Sequence, residues 1–303
     1  MLQRLVNSIL KSNYNNIEII IVDDASTDGT HEFIKEKFKA SKKIKLIKNK
    51  NNLFTAESRN VGLKQTKGEF IFFIDDDNVL DIRVISMFVK LFLGDERIGE
   101  LGPVNYSLAN KKKMLWSGTN RDMFTSLTNQ SRDINMHRKS ESWETDDVPN
   151  AFMVRADIIK KNKIFFRKYY GIMYEESDFA YRIKQLGFKI KVVRGASIYH
   201  DVEEYVNGKM TKDYMYHFME NRKRPYVTAR NRIVFHSIFS NKIELFAITT
   251  VWIWVFTLYY VYKIIFYSGV GDFSFKKRLA LAFSYIKGTF EGLEFVLQRK
   301  ELT

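Results

Sequence analysis

Two apolar runs early in the chain end directly in carboxylates. "IEIIIV" (17–22) runs into Asp23 and Asp24, and "FIFFI" (70–74) runs into Asp75, Asp76 and Asp77. Strands that are apolar at nearly every position are buried on both faces, so they need helices on either side. The intervening sequence supplies them. Residues 30–38 read as a helix after the turn-and-cap sequence "ASTDGT", 43–49 as an alternating strand, 55–68 as a helix stopped by Gly68, and 81–92 as a helix with Gly94 beyond its end. Strand and helix alternating at this spacing predict an α/β domain with a mainly parallel central sheet. Ligands on such sheets bind at the carboxyl ends of the strands, so both acidic clusters are expected at one crevice.

The polar stretch 105–150 reads as loops and short strands around a site. "AFMVR" (151–155) reads as a short strand. "YEESDFAYRIKQLGF" (174–188) reads as a helix with Phe179, Ile183 and Leu186 on one face and Gly187 at its end. "KIKVVRGASIYH" (189–200) reads as a strand ending on His200. Beyond 208 the character changes. Residues 209–242 are basic and aromatic, with Arg222, Lys223, Arg224, Arg230, Arg232 and Lys242. From Leu245 to Tyr262 no residue is charged, which meets the length of about 18 apolar residues for a membrane helix. The Trp and Tyr content there suits an interface. Further on, Leu279, Phe283, Ile286, Phe290, Leu293 and Leu297 predict one apolar helix face, with Lys276, Lys277, Arg278, Lys287, Arg299 and Lys300 off it. That face suits a membrane surface or the α/β domain equally. Both flanks of the 243–267 stretch are basic, which favours a re-entrant or interfacial anchor over a single crossing.

Composition narrows the chemistry. The chain has 303 residues, a formal net charge of +14 and no cysteine, so disulfides, zinc–thiolate sites and thiol nucleophiles are excluded. The positive charge fits nucleic acid, an anionic membrane or a phosphorylated substrate. The basic-aromatic segment abuts an apolar stretch, which favours membrane over RNA. "MLQRLVNSILKS" reads as an amphipathic helix and not a signal peptide. Carboxylates repel by ~1 kcal/mol per pair at about 4 Å in water and ~4 kcal/mol at an effective dielectric of about 20. A cation converts that cost into binding, and carboxylate oxygens suit Mg²⁺ or Mn²⁺. On its own the Asp triplet is more often a solvated turn.

The combination of segments resembles the inverting family 2 glycosyltransferases of the GT-A fold. The matching stretches are "IIIVDDASTDGT" (19–30), "ESRNVGLKQTKGEFIFFIDDDN" (57–78), "VPNAFMVR" (148–155), "YEESDFAYRIKQLGFKI" (174–190) and "SIYHD" (197–201), with "YVTARNRIVF" (226–235) resembling the segment before the membrane helix in many members. The resemblance implies a GT-A domain over 1–208, a juxtamembrane segment over 209–242 and membrane-associated helices over 243–303. It implies that Asp24 and Asp23 contact the nucleotide and that Arg59 reaches its base or a phosphate, with a surface salt bridge to Glu57 as the competing role. Asp75 and Asp77 match the DxD pattern, with Asp75 and Asp76 on the nucleotide side and Asp77, Asp75 and His200 towards a metal. Glu175 and Glu176 match the acidic pair whose second member is the catalytic base. Asp178 is expected to help position the acceptor.

The implied activity moves a sugar from a nucleoside diphosphate sugar to a hydroxyl of a glycan or lipid-linked glycan. Mg²⁺ or Mn²⁺ is the expected cofactor and the cytoplasmic face of the cell membrane the expected place. One departure stands out. Family members begin with a strand and a Pro-Thr-Tyr-Asn-like turn that precede the helix matched by "LQRLVNSILKS", and here the sequence starts inside that helix. Two other readings compete. A sugar nucleotidyltransferase would want a Gly-rich phosphate loop near the N-terminus, and none is present. A basic lipid- or nucleic-acid-binding protein with a degenerate transferase site is permitted by the charge, although no nucleic-acid partner is expected.

Overall fold

The apolar runs form strands where their burial requires them. The structure, a computed structural model, describes residues 1–130, 140–201, 204–206, 209–212, 214–267 and 273–298. Elements in chain order are α1 (Leu2–Leu10), β1 (Ile19–Asp23), α2 (Thr30–Lys37), β2 (Ile44–Lys48), α3 (Phe54–Leu63), β3 (Phe70–Ile74), β4 (Asn78–Leu80), α4 (Val84–Gly94), β5 (Ile98–Ser107), β6 (Met114–Trp116), β7 (Thr119–Arg121), β8 (Thr128–Gln130), β9 (Ser142–Glu144), β10 (Ala151–Arg155), α5 (Ala156–Lys161), α6 (Glu175–Gln185) and β11 (Lys189–His200). There follow β12 (Glu204–Val206), β13 (Lys209–Lys212), α7 (Tyr214–Glu220), α8 (Arg224–Phe239), α9 (Lys242–Ala247), a π-helical turn (Ile248–Trp252), α10 (Ile253–Ile265) and α11 (Phe275–Leu297).

The chain divides into two units. The first holds 1–120, 130–171 and 175–202; the second holds 121–129, 172–174 and 203–303. The segments 209–242 and 243–303 thus fall in one unit. The boundary expected at 208 lies outside the described residues, as do Arg299 and Lys300.

In the first unit β1 and β2 pair in parallel. A larger sheet runs in the order β3-β10-β5-β11-β4, with β6 added on β5 and β9 on β11. β5 and β11 are parallel, while β10 runs antiparallel to both β3 and β5. Helices cover it: Phe88 and Phe92 of α4 pack with Leu101, Met153 and Ile198 in one core, and Phe179 and Ile183 of α6 with Phe73, Phe152 and Val192 in another. A cavity of about 990 Å³ is lined by both β1 and β3, with Leu2, Leu5, Val6 and Ile9 of α1 along it. Among the described residues β1 pairs only with β2 and β3 only with β10.

β5 covers a stretch for which no element was predicted, and it carries Gly99, Glu100, Gly102 and Pro103. The glycines are there for close approach: a Cβ on Gly102 would lie 2.1 Å from a Val148 methyl carbon, and one on Gly99 2.5 Å from Ile183. Leu186 does not share the buried face of Phe179 and Ile183; it is 44% exposed. α6 ends at Gln185, and Leu186 sits in the closing turn before Gly187, whose φ is +88°. Part of the expected α11 face stands outward. Phe283, Phe290 and Leu297 are 68%, 57% and 83% exposed, and the packed face is Leu281, Ala282, Tyr285, Gly288, Thr289, Gly292 and Phe295.

The reason is the helix–helix contact in the second unit. α8 lies so close to α11 that a Cβ on Gly288 would come within 2.2 Å of the Tyr226 carbonyl oxygen, and one on Gly292 within 2.8 Å of Ile233. Small residues spaced by four let two backbones approach, and larger apolar side chains are displaced to the outside. From Lys242 to Ile265 the chain is one helical stretch of 24 residues, long and apolar enough to cross a membrane and mostly exposed. Phe246, Leu258 and Tyr262 of that stretch are exposed, as is Trp254, whose ring meets Phe290 of α11 edge-on.

Candidate functional site

Arg59 organises the carboxylates. It projects from α3 over the rings of Phe152 and Phe166, which lie 5.7 and 5.5 Å from its guanidinium carbon. Its Nη2 donates to Asp75 Oδ1 at 2.8 Å and to Glu176 Oε1 at 2.7 Å, and its Nη1 lies 3.7 Å from Glu175 Oε1. Its side chain is only 9% exposed. Burial works against the charge, but Glu176, Asp75 and Glu175 together hold the guanidinium well above its usual range. The competing partner, Glu57, instead accepts from Asn60 at 3.1 Å.

The carboxylates bear the opposite strain. Burial, reinforced by the Glu176 charge, pushes Glu175 up to about 8, with Arg59 pulling the other way. Burial raises Glu176 too, with Asp75 adding to the rise and Arg59 and the Asn150 N–H opposing it. Both stand in the first turn of α6, where the helix dipole favours anions. Asp178, expected to help position the acceptor, stands apart from the Arg59 cluster. It lies two residues from Glu176, about 200° around the helix. It is fully buried, and Arg167 and Arg182 hold both its oxygens at 2.6 and 2.8 Å. These ion pairs tie the first turn of α6 to Arg167 and to the next turn of the helix.

A pair of asparagines joins the two halves of the site. Asn150 has a left-handed backbone (φ +76°) just before β10, a conformation asparagine tolerates. Its N–H donates to Glu176 Oε1 at 3.0 Å and its carbonyl oxygen accepts from Asp75 N–H at 3.2 Å. Its side-chain amide exchanges two hydrogen bonds with that of Asn78, both 2.9 Å. Asn78 also donates to Asp77 Oδ1 at 3.0 Å. In the β4–β11 register Asn78 faces His200, which sets the His200 Nε2 3.0 Å from Asp77 Oδ2. The His200 ring stands edge-on to Trp116. Partial burial and the charges of Asp77 and Asp75 raise Asp76.

At the end of β1, Asp24 Oδ1 accepts from Asn49 at 2.9 Å and from the Leu53 N–H at 2.8 Å. Asp23 Oδ1 accepts from the Ser26 N–H at 2.9 Å, and its Oδ2 lies 3.2 Å from His31. Burial opposes ionisation of Asp23, but the Ser26 hydrogen bonds and the nearby Lys48 and His31 hold it below the usual carboxylate range. Asp23, Asp24, Arg59, Asp75, Asp76 and Asp77 all border the same cavity.

The sequence singled out neither Asn150 nor Glu100. A Pro-Asn pair before a strand is a signal for a special backbone at Asn150. Glu100 offered none: it is buried in β5, and burial with Asp147 and Glu176 nearby holds it well above the usual carboxylate range. Among the described residues no three His, Cys, Asp or Glu side chains are grouped closely enough to hold a metal by themselves.

Comparison with known proteins adds to this geometry. The sequence profile of glycosyl transferase family 2 matches residues 1–163, just over half of the chain. A glycosyltransferase of uncharacterised specificity from Haemophilus influenzae is 29% identical over 148 residues, 47% of this chain and 58% of that one. The Escherichia coli UDP-Glc:alpha-D-GlcNAc-diphosphoundecaprenol beta-1,3-glucosyltransferase WfgD is 32% identical over 110 residues, 36% of this chain and 42% of that one. The chain therefore spans about half the length of these curated relatives. The crystal structure of GalNAc-T7 with UDP, GalNAc and Mn²⁺ superposes with a TM-score of 0.63 at 15% identity, covering 99% of this chain and 55% of that one. At that identity the likeness speaks for the fold alone.

Proposed function

The chain belongs to glycosyl transferase family 2, and from that premise we propose that it is an inverting transferase of GT-A type acting on a nucleoside diphosphate sugar, with Glu176 as its base. The observation that carries the reading is the single guanidinium of Arg59 bridging the strand-end Asp75 and the helix-borne Glu176. It ties the DxD end of β3 to the acidic pair of α6 in one charge cluster. In this reading Arg59 is the counter-charge of the base more than a nucleotide contact.

The acceptor hydroxyl gives its proton to a Glu176 oxygen as its own oxygen bonds to the anomeric carbon. The bond from that carbon to the diphosphate oxygen breaks on the opposite side, the electron pair leaves with the nucleoside diphosphate, and the configuration inverts. A base works best with a pKa near the working pH, and burial moves Glu176 in that direction. Glu175, pushed higher, stays protonated at neutrality and limits the repulsion beside Glu176. Asp24 and Asp23 border the cavity on the nucleotide side.

Asp77 and His200 fit a divalent cation: their facing atoms are 3.0 Å apart, and a carboxylate oxygen with an imidazole nitrogen is a donor set such an ion takes. Two protein ligands suit Mg²⁺ or Mn²⁺, which commonly complete their shell with substrate phosphate and water. Asp77 and His200 would hold the ion, with Asp75 nearby, and it would supply charge stabilisation for the departing diphosphate. Asp77→Asn is expected to remove the Mn²⁺ dependence of nucleotide-sugar binding measured by calorimetry. A variant with the wild-type dependence would put the ion elsewhere.

The second unit and the relatives support the reading of the acceptor. Phe246, Leu258, Tyr262, Phe283 and Phe290 expose apolar surface on α9, α10 and α11, and Lys276, Lys277 and Arg278 begin α11. Apolar area with basic residues beside it suits an anionic membrane surface. WfgD carries a diphosphoundecaprenol-linked acceptor in its name. We therefore place the protein at the cytoplasmic face of the membrane with a glycan or lipid-linked glycan as acceptor.

A further inference from the structure

The residues that lead into the acidic pair have a costly backbone. Gly171, Met173 and Tyr174 have φ of +66°, +68° and +71°, and α6 begins with Glu175 immediately afterwards. For residues other than glycine the left-handed region costs roughly 1–2 kcal/mol each. Two in succession persist only where the surroundings hold them.

α8 is the holder. Asn231 is fully buried, and its amide donates to the carbonyl oxygens of Ile172 at 3.0 Å and Met173 at 2.8 Å. Its own side-chain oxygen accepts from Arg230 Nε at 2.9 Å, which fixes which end of the amide is which. One position along, Arg232 Nε donates to the Tyr174 hydroxyl at 3.3 Å, and Phe235 packs on the Tyr174 ring at 5.5 Å. α8 in turn is seated on Gly288 and Gly292 of α11.

We propose that Asn231 is a positioning residue for the acidic pair: its two amide hydrogens pin the left-handed turn 172–174, and the turn delivers Glu175 and Glu176 to Arg59 and Asn150. The proposal rests on the reading of Glu176 as base. Only an amide fits the task. A carboxylate of the same shape has no hydrogens for the two carbonyl oxygens, and an alanine leaves both unbonded. A segment "YVTARNRIVF" that reads as the approach to a membrane helix thereby acquires a task in the transfer itself.

The test is full kinetics on the whole chain with a donor that wild type turns over. Asn231→Ala is expected to lower kcat by ~10²-fold, the cost of displacing a reacting group by about 1 Å, while KM for the donor stays put. The acid limb of the kcat profile is expected to move to higher pH, since a Glu176 drawn away from Arg59 loses the interaction that lowers its pKa. Tyr174→Phe, which removes only the hydroxyl held by Arg232, is expected to lower kcat less and move the limb the same way. It decides the matter should Asn231→Ala fail to fold.

Variants that melt earlier yet keep kcat and the limb unchanged would overturn the proposal and leave Asn231 a packing residue. If wild type transfers no sugar, or Glu176→Gln stays active, the base reading falls first and takes this inference with it.

Discussion

Glu176→Gln is expected to lower transfer by ~10²–10⁴-fold, the range for removal of a positioned general base, and to leave nucleotide-sugar binding intact. The glutamine oxygen still accepts from Arg59 and from the Asn150 N–H, so the bridge between α3, β10 and α6 survives. What is lost is the capacity to take a proton. Glu175 does not substitute, because burial keeps it protonated up to about pH 8. Loss of the Glu176 charge removes part of that rise, so any residual activity carried by Glu175 should set in at a lower pH than about 8. In wild type the rate should fall as pH drops through the raised Glu176 pKa, because only the carboxylate form accepts the proton. Binding by calorimetry beside turnover separates the two effects, and near-normal turnover in the variant would remove Glu176 from the mechanism.

Arg59→Met should be the most destabilising change at the site. It deletes the guanidinium shared by Asp75, Glu175 and Glu176 and leaves carboxylates in a buried setting. Breaking a buried ion pair from one side costs about 3–5 kcal/mol. The pH dependence has a definite sign. Glu175 titrates near 4.5 when unfolded and about 8 when folded, so the folded chain holds the extra proton between those values. Its penalty is absent below the unfolded pKa and grows as pH rises through the window. Arg59 lowers the folded pKa of both glutamates, so without it the window extends upward and the penalty deepens. Urea unfolding at pH 5 and pH 9 (below and above the wild-type folded value of about 8) should therefore show a gap between wild type and variant that widens at the higher pH. An equal gap at both would mean that the carboxylates are not held by Arg59.

The parts of the fold that were legible are those in which local pattern and burial agree. β3 is apolar throughout and β1 up to Asp23, with alternate residues buried, and α6 carries Phe179 and Ile183 on its buried side. β5 shows the opposite. It is central and ten residues long, yet two glycines, a proline and a buried glutamate hide it, because close approach by Val148 and Ile183 dictates its residues more than strand preference does. On α11 the largest side chains make the most conspicuous stripe, but tight contact with α8 selects the face with the smallest ones.

The candidate site divides the same way. Acids at strand ends are visible in a sequence because loops and strands differ so sharply in composition. The bridging by Arg59 across residues 75, 175 and 176 is not, since it depends on contacts more than one hundred residues apart in sequence. Asn150 and Asn231 were missed for a related reason: each acts through hydrogen bonds to backbone that no periodicity records.

The account stands on a direct displacement assisted by one carboxylate, and the anomeric configuration of the product tests that most directly. With a donor of known configuration, NMR of the transferred sugar should show the opposite configuration at the anomeric carbon from the first turnover onward. A product with the donor's own configuration would contradict a single displacement, and with it the assignment of Glu176 as base.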